Sequence, residues 1–423
     1  MAGDRRHDFG RRYDFCGDQK CRRTKTIAEP AEAAAALIEP HCRLINRCCS
    51  VVTACVNTGG LDEAAAKSLE ERAMALGAQE HILVEARPRF FNQVLRYLIA
   101  GNVRRGNLYP LCVGAERGIQ ATLLAEFAQE RGSTTVAHGC TAAGNDQVRF
   151  EVALRTVNPG LEVLAPVRDQ SFVRSEQVKY LEDGKFPLPP SGGSYSINKG
   201  LWGVSIGGIE TLDSKDTIPE SAWVLSSDAF DKPAEPRTIH VGFDKGIPVS
   251  LNGAMLDPVA LIEKLETIGG SYAIGRGIHV GDTVLGTKGR VAFEAPAAEI
   301  LLNAHRELEK LTLSALQLQI KEPLANTYGD FVHYGKQLDP ACRDIEALLE
   351  SSQQRVTGEV KIILRPGNAF VAGVTSPYSL MAATKGVYGE AAGEWTPQDA
   401  LGFSRILSLP GMLQSRAAAG NKD

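Results

Sequence analysis

The strongest constraint on the fold is an alternation that repeats between residues 49 and 139. CSVVTACVN (49–57) is a short Val-rich apolar run, the mark of a buried strand. Thr58-Gly59-Gly60 then turns the chain. Asp62 is placed to cap a helix reaching about residue 76, and Gly77 to end it. HILVE (81–85) reads as the next strand, followed by helices over 88–100 and 115–131. TTVAH (134–138) is a further strand and runs into Gly139. Strand–helix repeats of this kind predict an α/β fold, a Rossmann-like parallel sheet with helices on both faces. Ligands of such sheets sit at the carboxyl ends of the strands, here Gly59-Gly60 and 138–141.

After residue 187 the texture changes. PLPPSGGS (187–194) reads as a linker, 237–253 as a hairpin, 296–316 as a long amphipathic helix and 356–374 as a strand pair. The polar tail after residue 409 is expected to be loose. The expected division is 1–49, 50–186, 187–410 and 411–423, an α/β unit followed by an α+β unit. Residues 1–49 stand apart. They carry eight arginines and no convincing strand, and 28–38 has the composition of a short helix.

Charge and cysteine usage exclude several classes. Lys and Arg number 46 against 50 Asp and Glu, a net charge of −4, which argues against a protein that holds nucleic acid through phosphates. No stretch approaches the roughly 20 apolar residues of a membrane helix, so no membrane partner is expected. The first residues lack an apolar signal core and carry Asp4, Asp8, Asp14 and Asp18, which makes the cytoplasm the expected compartment. Nine cysteines, an odd number, speak against a disulfide framework. Cys16, Cys21, His41 and Cys42 match no strong zinc spacing, so no metal site is expected there.

Three segments carry side chains suited to chemistry. VAHGCTAAGNDQVRFE (136–151) delivers Gly139, where a ligand can approach the backbone, and then Thr141, Asn145, Asp146 and Arg149. A hydroxyl, an amide, a carboxylate and a guanidinium in nine residues suit a zwitterionic ligand. The plainer alternative is a capped helix start with Arg149 on its surface. YSINKGLWGVSIGG (195–208) offers Ser196 and Ser205 as donors, or a glycine-rich loop with Trp202 in the core. NLYPLCVGAERG (107–118) sets Tyr109 before a proline. Cys112 and Cys140 read as packing rather than as nucleophiles.

These segments, with IGRGIHVGDTVLGTKGRVAFEAP (274–296), AHRELEKLTL (304–313) and RDIEALLESSQQRVTGEV (343–360), run in an order similar to that of the argininosuccinate synthase family. That family belongs to the N-type ATP pyrophosphatases, and the resemblance covers residues from about 50 to about 408. It implies an adenine-nucleotide alpha-hydrolase-like domain and a C-terminal synthetase and multimerisation domain. It also implies ligation of citrulline and aspartate, with ATP and Mg2+, to argininosuccinate, AMP and pyrophosphate. On the resemblance, Val56, Gly139, Asp146 and Asn198 would meet ATP. Thr141, Asn145 and Asp146 would hold aspartate, and Tyr109, Asn145, Arg149, Ser196 and Ser205 would hold citrulline. A homotetramer joined through the C-terminal helix would follow.

The chain departs from the family at one place above all. The family's first strand enters a phosphate loop of the type SGGLDTS. TGGLDEA (58–64) looks similar but follows what corresponds to the second strand. The true loop belongs some 25–30 residues earlier, yet residues 20–40 contain no glycine. The sequence therefore predicts a missing first strand and weak or absent ATP–pyrophosphate exchange. Either 1–49 is not the native N-terminus, or the chain is a non-catalytic amino-acid-binding or assembly homologue that has lost the loop. A tRNA-thiolating ATP pyrophosphatase fits less well, for want of charge and paired cysteines. Gly114 stands where many relatives place a serine, and Gly281 and Phe293 where many place a glutamate and a tyrosine.

Overall fold

The computed structural model describes residues 24–29 (as backbone), 50–171, 176, 179, 182, 183, 195–231 and 234–420. Cys16, Cys21, His41 and Cys42, the linker at 187–194 and most of the helix expected at 28–38 lie outside these.

The first layer is a five-stranded parallel sheet in the order β3-β2-β1-β4-β5. Its strands are β1 (Thr24–Glu29), β2 (Ser50–Asn57), β3 (Glu80–Glu85), β4 (Thr135–His138) and β5 (Glu162–Leu164). The central strand corrects the sequence reading, which found no strand before residue 49. β1 pairs in parallel with β2 from Thr24↔Ser50 to Glu29↔Cys55, and with β4 from Lys25↔Thr135 to Ala28↔His138. TKTIAE has a weak local signal because Lys25, Ala28 and Glu29 dilute it, and the two flanking strands supply what the composition lacks. Residues 28 and 29, assigned to a helix from sequence, therefore end a strand.

The helices of this layer are α1 (Glu63–Ala75), α2 (Arg87–Phe90, a π turn over Phe91–Leu95, then Arg96–Ala100), α3 (Arg117–Glu130), α4 (Asp146–Val157) and the short α5 (Pro166–Asp169). Asp62 caps α1 by accepting from the Ala65 amide, and Gly77 follows in the left-handed region at φ 91°.

The second part contains two antiparallel sheets. One is β11-β12-β7-β6, built from β6 (Ser196–Gly200), β7 (Gly203–Gly207), β11 (Arg276–Asp282) and β12 (Lys288–Glu294). The other is β10-β9-β8-β13-β14, from β8 (Arg237–Asp244), β9 (Ile247–Leu251), β10 (Ala254–Met255), β13 (Gly358–Arg365) and β14 (Asn368–Thr375). Its helices are α6 (Pro258–Gly270), α7 (Pro296–Thr312), α8 (Ala315–His333), α9 (Pro340–Gln353), α10 (Leu380–Ala383) and α11 (Pro397–Ala418). One apolar core runs from α2 through α7 to β8 and β13. Trp202 belongs to it, fully buried, and its indole N–H donates to the Pro110 carbonyl at 3.0 Å. That bond ties the β6–β7 turn to the loop carrying Tyr109.

The tail expected to be loose after residue 409 is helical through Ala418. A capping box of Thr396 and Asp399 starts α11, and Leu, Ala, Gln and Arg carry it on past Pro410. Polar composition there marks an exposed helix rather than a frayed end.

Candidate functional site

β4 ends at His138, the buried Gly139 and Cys140 follow, and a turn over Thr141–Gly144 leads into α4. Asn145 is the residue before α4 but does not cap it with its side chain. Its Oδ1 instead accepts from the Val284 amide at 2.8 Å, reaching the β11–β12 hairpin. Arg149, offered by the plainer alternative as a surface residue, is buried.

Asp146 is the centre of the polar network. Arg117 Nε donates to its Oδ2 at 2.9 Å and Arg149 Nη1 to its Oδ1 at 2.8 Å. The two arginine side chains are 3% and 7% exposed, whereas that of Asp146 is 32% exposed. Arg117 also donates to Asn198 Oδ1 and Gln120 Oε1, both at 3.0 Å, and to Glu116 Oε1 at 3.1 Å. Thr58 donates to Glu116 Oε2 at 2.7 Å and accepts from Gln120 Nε2 at 2.9 Å. Burial pushes the Glu116 carboxyl up to about 7, against the pull of Arg117 and Thr58. Burial works the same way on Asp146, but Arg117 and Arg149 outweigh it and hold its carboxyl below the ordinary value.

The opposite wall is the four-stranded sheet. Asn198 pairs with Ser205 and Ser205 with Phe293, so the three side chains share a face. Asn198 touches Arg117 on that face, and the Phe293 ring meets Tyr109 edge-on at 5.1 Å. Ser205 lies between them. Ser196, two residues from Asn198, is on the same face and exposed at its rim. Tyr109 is buried, stacks on His279 at 5.5 Å, and has its phenol raised far above the ordinary range by burial.

Val56 and Asn198 line one small cleft of about 30 Å³ with Thr58, Glu116, Gln120 and Lys199. Gly139 and Thr141 lie outside it, and Thr141 is exposed. His138 turns inward against Phe150, and burial lowers it to about 4. Cys140 is pushed up to about 12 by burial, as packing rather than nucleophilic chemistry requires. Among the described residues no group of three or more His, Cys, Asp and Glu gathers as a metal cage.

The glycines of the 58–64 turn approach protein, not open space. A Cβ on Gly59 (φ 110°) would lie 2.7 Å from the Leu201 amide nitrogen, and one on Gly60 would overlap the Lys199 carbonyl. The Leu201 amide donates to the Thr58 carbonyl at 2.9 Å, closing the turn onto β6. At Gly114, where a Cβ would stand, the Arg149 guanidinium lies 3.3 Å away. At Gly281 the His279 ring fills the space.

Sequence reasoning missed Glu116, Arg117, Gln120 and His333. The first three were legible in principle: a charged pair with a glutamine at 120, starting a helix whose next turns carry the apolar Ile119, Ala121, Leu123, Leu124 and Ala125. His333 had no local signal, because it meets Arg149 only through the folding of α8 onto α4.

Comparison with known proteins identifies the frame. The model of the arginosuccinate synthase N-terminal HUP domain matches residues 43–187, and that of the arginosuccinate synthase C-terminal domain matches 195–414. The argininosuccinate synthase of Methanocaldococcus jannaschii is 38% identical over 333 residues, 78% of this chain and 83% of that protein. That of Dictyoglomus turgidum is 35% identical over 373 residues, covering 88% and 92%. That of Symbiobacterium thermophilum is 37% identical over 364 residues, covering 85% and 90%. A solved deacetylase–teicoplanin complex is similar only at 10% identity and a TM-score of 0.24, over 33% of this chain and 68% of that one, which bears on nothing here. With both domain models matched and this identity over most of the chain, the protein belongs to the argininosuccinate synthase family of carbon–nitrogen ligases.

Proposed function

We propose that the chain joins citrulline and aspartate in an ATP-dependent reaction, giving argininosuccinate, AMP and pyrophosphate. The observation that carries this reading is the ladder Asn198–Arg117–Asp146–Arg149, which links the two walls of the site by charge-assisted hydrogen bonds. A ureido oxygen is a poor leaving group. In this reading it attacks the α-phosphorus of ATP, an O–P bond forms, and pyrophosphate departs to leave a citrullyl-adenylate. The neutral aspartate amine then attacks the ureido carbon. A C–N bond forms, the C–O bond breaks, AMP leaves, and the amine proton passes to solvent. Such chemistry asks the protein mainly for positioning and charge.

Arg149 would pair with the citrulline carboxylate, with Tyr109, Asn145, Ser196 and Ser205 around it. Asp146 would accept from the aspartate ammonium, helped by Thr141 and Asn145, and that group would release one proton to solvent before attacking as the neutral amine. The exposed third of Asp146 fits that role, since two arginine bonds leave a carboxylate further acceptor capacity. Val56 and Asn198 would border the nucleotide, with Gly139 and Asp146 near its phosphates. Mg2+ would accompany those phosphates. The carboxylates at hand, Asp146 and Glu116, are both engaged by Arg117, so the ion would be held by the phosphates of the nucleotide itself. Residues 50–186, together with β1 as the central strand of their sheet, would form the nucleotide domain and 187–410 the synthetase domain of a cytoplasmic homotetramer. The exposed apolar residues Phe403, Ile406, Leu407 and Leu413 on α11 support the assembly role. Among the described residues no helix is long and apolar enough to cross a membrane.

The test is to incubate the purified chain with citrulline, aspartate, ATP and Mg2+ and to measure AMP and argininosuccinate. Citrulline-dependent formation of both is expected. A second reading, an amino-acid-binding homologue without ATP chemistry, draws on the closed 58–60 turn and the glycine-free residues 20–40. Citrulline uptake by calorimetry with no AMP formed would favour it.

A further inference from the structure

We infer that His333 is a positioning residue for citrulline, acting through Arg149; this rests on the reading that Arg149 meets the citrulline carboxylate. His333 is the last residue of α8 and is buried. It gives Arg149 two acceptors. Its backbone carbonyl takes Arg149 Nε at 2.8 Å, and its ring Nδ1 faces Arg149 Nη2 at 3.2 Å. With Asp146 on Nη1, all three guanidinium nitrogens are engaged on their inner side.

The hydrogen-bond roles follow without ambiguity. An arginine has only donors, so Nδ1 must accept, and the neutral ring must carry its proton on Nε2. Protonating Nδ1 would set a cation against a cation. Burial, then Arg149 and Arg105, hold the ring down to about 3, so it stays neutral throughout the physiological range.

The backbone fixes this arrangement. α8 ends in a left-handed Gly335 at φ 74°, with the Lys336 amide donating to the Phe331 carbonyl at 2.8 Å. A Cβ on Gly335 would lie 2.8 Å from Arg149 Cα, so the end of α8 can press on α4 only because a glycine stands there. The carbonyl end of a helix also favours a cation. The guanidinium is thus held from the second part of the molecule by α8 and from α4 by Asp146.

Side-chain substitution separates the ring acceptor from the carbonyl, which no substitution removes. An Asn amide oxygen lies close to where Nδ1 sits, whereas a Gln oxygen lies near Nε2. Calorimetric titration with citrulline is expected to weaken about tenfold in His333→Ala and His333→Gln. Affinity should return to within about threefold in His333→Asn, with aspartate affinity unchanged in all three. Wild-type affinity in His333→Ala, or equal losses in the Asn and Gln variants, would overturn the inference. Nitrogen-15 resonances of the His333 ring provide a readout that needs no ligand. An Nδ1 without a proton from pH 5 to 9 is expected, and a proton on Nδ1 overturns the assignment. If the wild-type chain binds no citrulline, the proposed function fails, and the ring resonances still decide whether His333 holds Arg149.

Discussion

Two buried charge clusters in this molecule are built from the same kinds of groups and differ in one respect. One joins α2, α7, α8 and α9. Lys321 Nζ donates to Glu309 at 2.7 Å and to the Ala100 carbonyl at 2.6 Å. Asn102 and Gln353 donate to Glu309 at 2.6 and 2.7 Å, and the two nitrogens of His305 meet the oxygens of the same two amides. Glu309 and His305 are fully buried and Lys321 nearly so. The other cluster centres on Asp146, whose arginines are as buried but whose own side chain is a third exposed. The sealed cluster is closed to solvent and ligand alike and can only hold elements together. The open one has a carboxylate that still faces solvent, and so can trade water for a ligand. Burial of the central acid, rather than the number of charges, separates scaffold from site.

The largest expected effect tests the sealed half. Glu309→Ala strands Lys321 and two amides in the core, and breaking such a pair costs about 3–5 kcal/mol. Urea unfolding should register that loss while the folded fraction keeps its citrulline affinity. A loss below about 1 kcal/mol would mean that water reaches the cluster, and the contrast would collapse.

The next effect is a difference in sign within the open half. Glu116 holds its proton more tightly folded, at about 7, than at its ordinary 4.5. Its contribution is whole below about 4.5 and is lost as pH rises towards 7, by up to about 3 kcal/mol. Asp146 is shifted the other way, so its contribution is present above its ordinary 3.8 and is lost as pH falls below that. Glu116→Gln should therefore flatten the decline in stability between pH 4.5 and 7 and leave the acid limb unchanged. A Gln variant with the wild-type profile would show that Glu116 is ionised throughout.

The sequence disclosed the frame better than the connections. The Val-rich run at 49–57 and the strand at 134–138 are written in their own composition, and the structure places them within one residue of that reading. β1 was missed because its place between two parallel strands depends on partners far along the chain. Asp146 and Arg149 were visible as a cluster in one segment. Arg117 was not, since its partners Asp146 and Asn198 lie 29 and 81 residues further along the chain and only folding brings them to it, although Glu116 and Gln120 are its near neighbours. The turn at 58–64 shows the converse. Its letters resemble a phosphate loop, yet its glycines serve contact with residues 199–201.

That turn supplies the smallest and most diagnostic prediction. Gly60→Ala places a methyl group against the Lys199 carbonyl, and the strain must be relieved by moving either the turn or β6. Overpacking of this kind costs about 1–3 kcal/mol, and the obstacle is a backbone carbonyl that can yield only if the turn or the strand moves. Because Asn198 is the neighbour of Lys199 and accepts from Arg117, a shift of β6 would loosen the open cluster and leave the sealed one alone. Citrulline affinity should then fall a few-fold while Glu309→Ala keeps its full penalty in the double variant, as independent sites require. If Gly60→Ala instead abolished nucleotide binding at unchanged stability, the turn would be a phosphate cradle after all. The close approach to Lys199 would then belong only to the ligand-free chain.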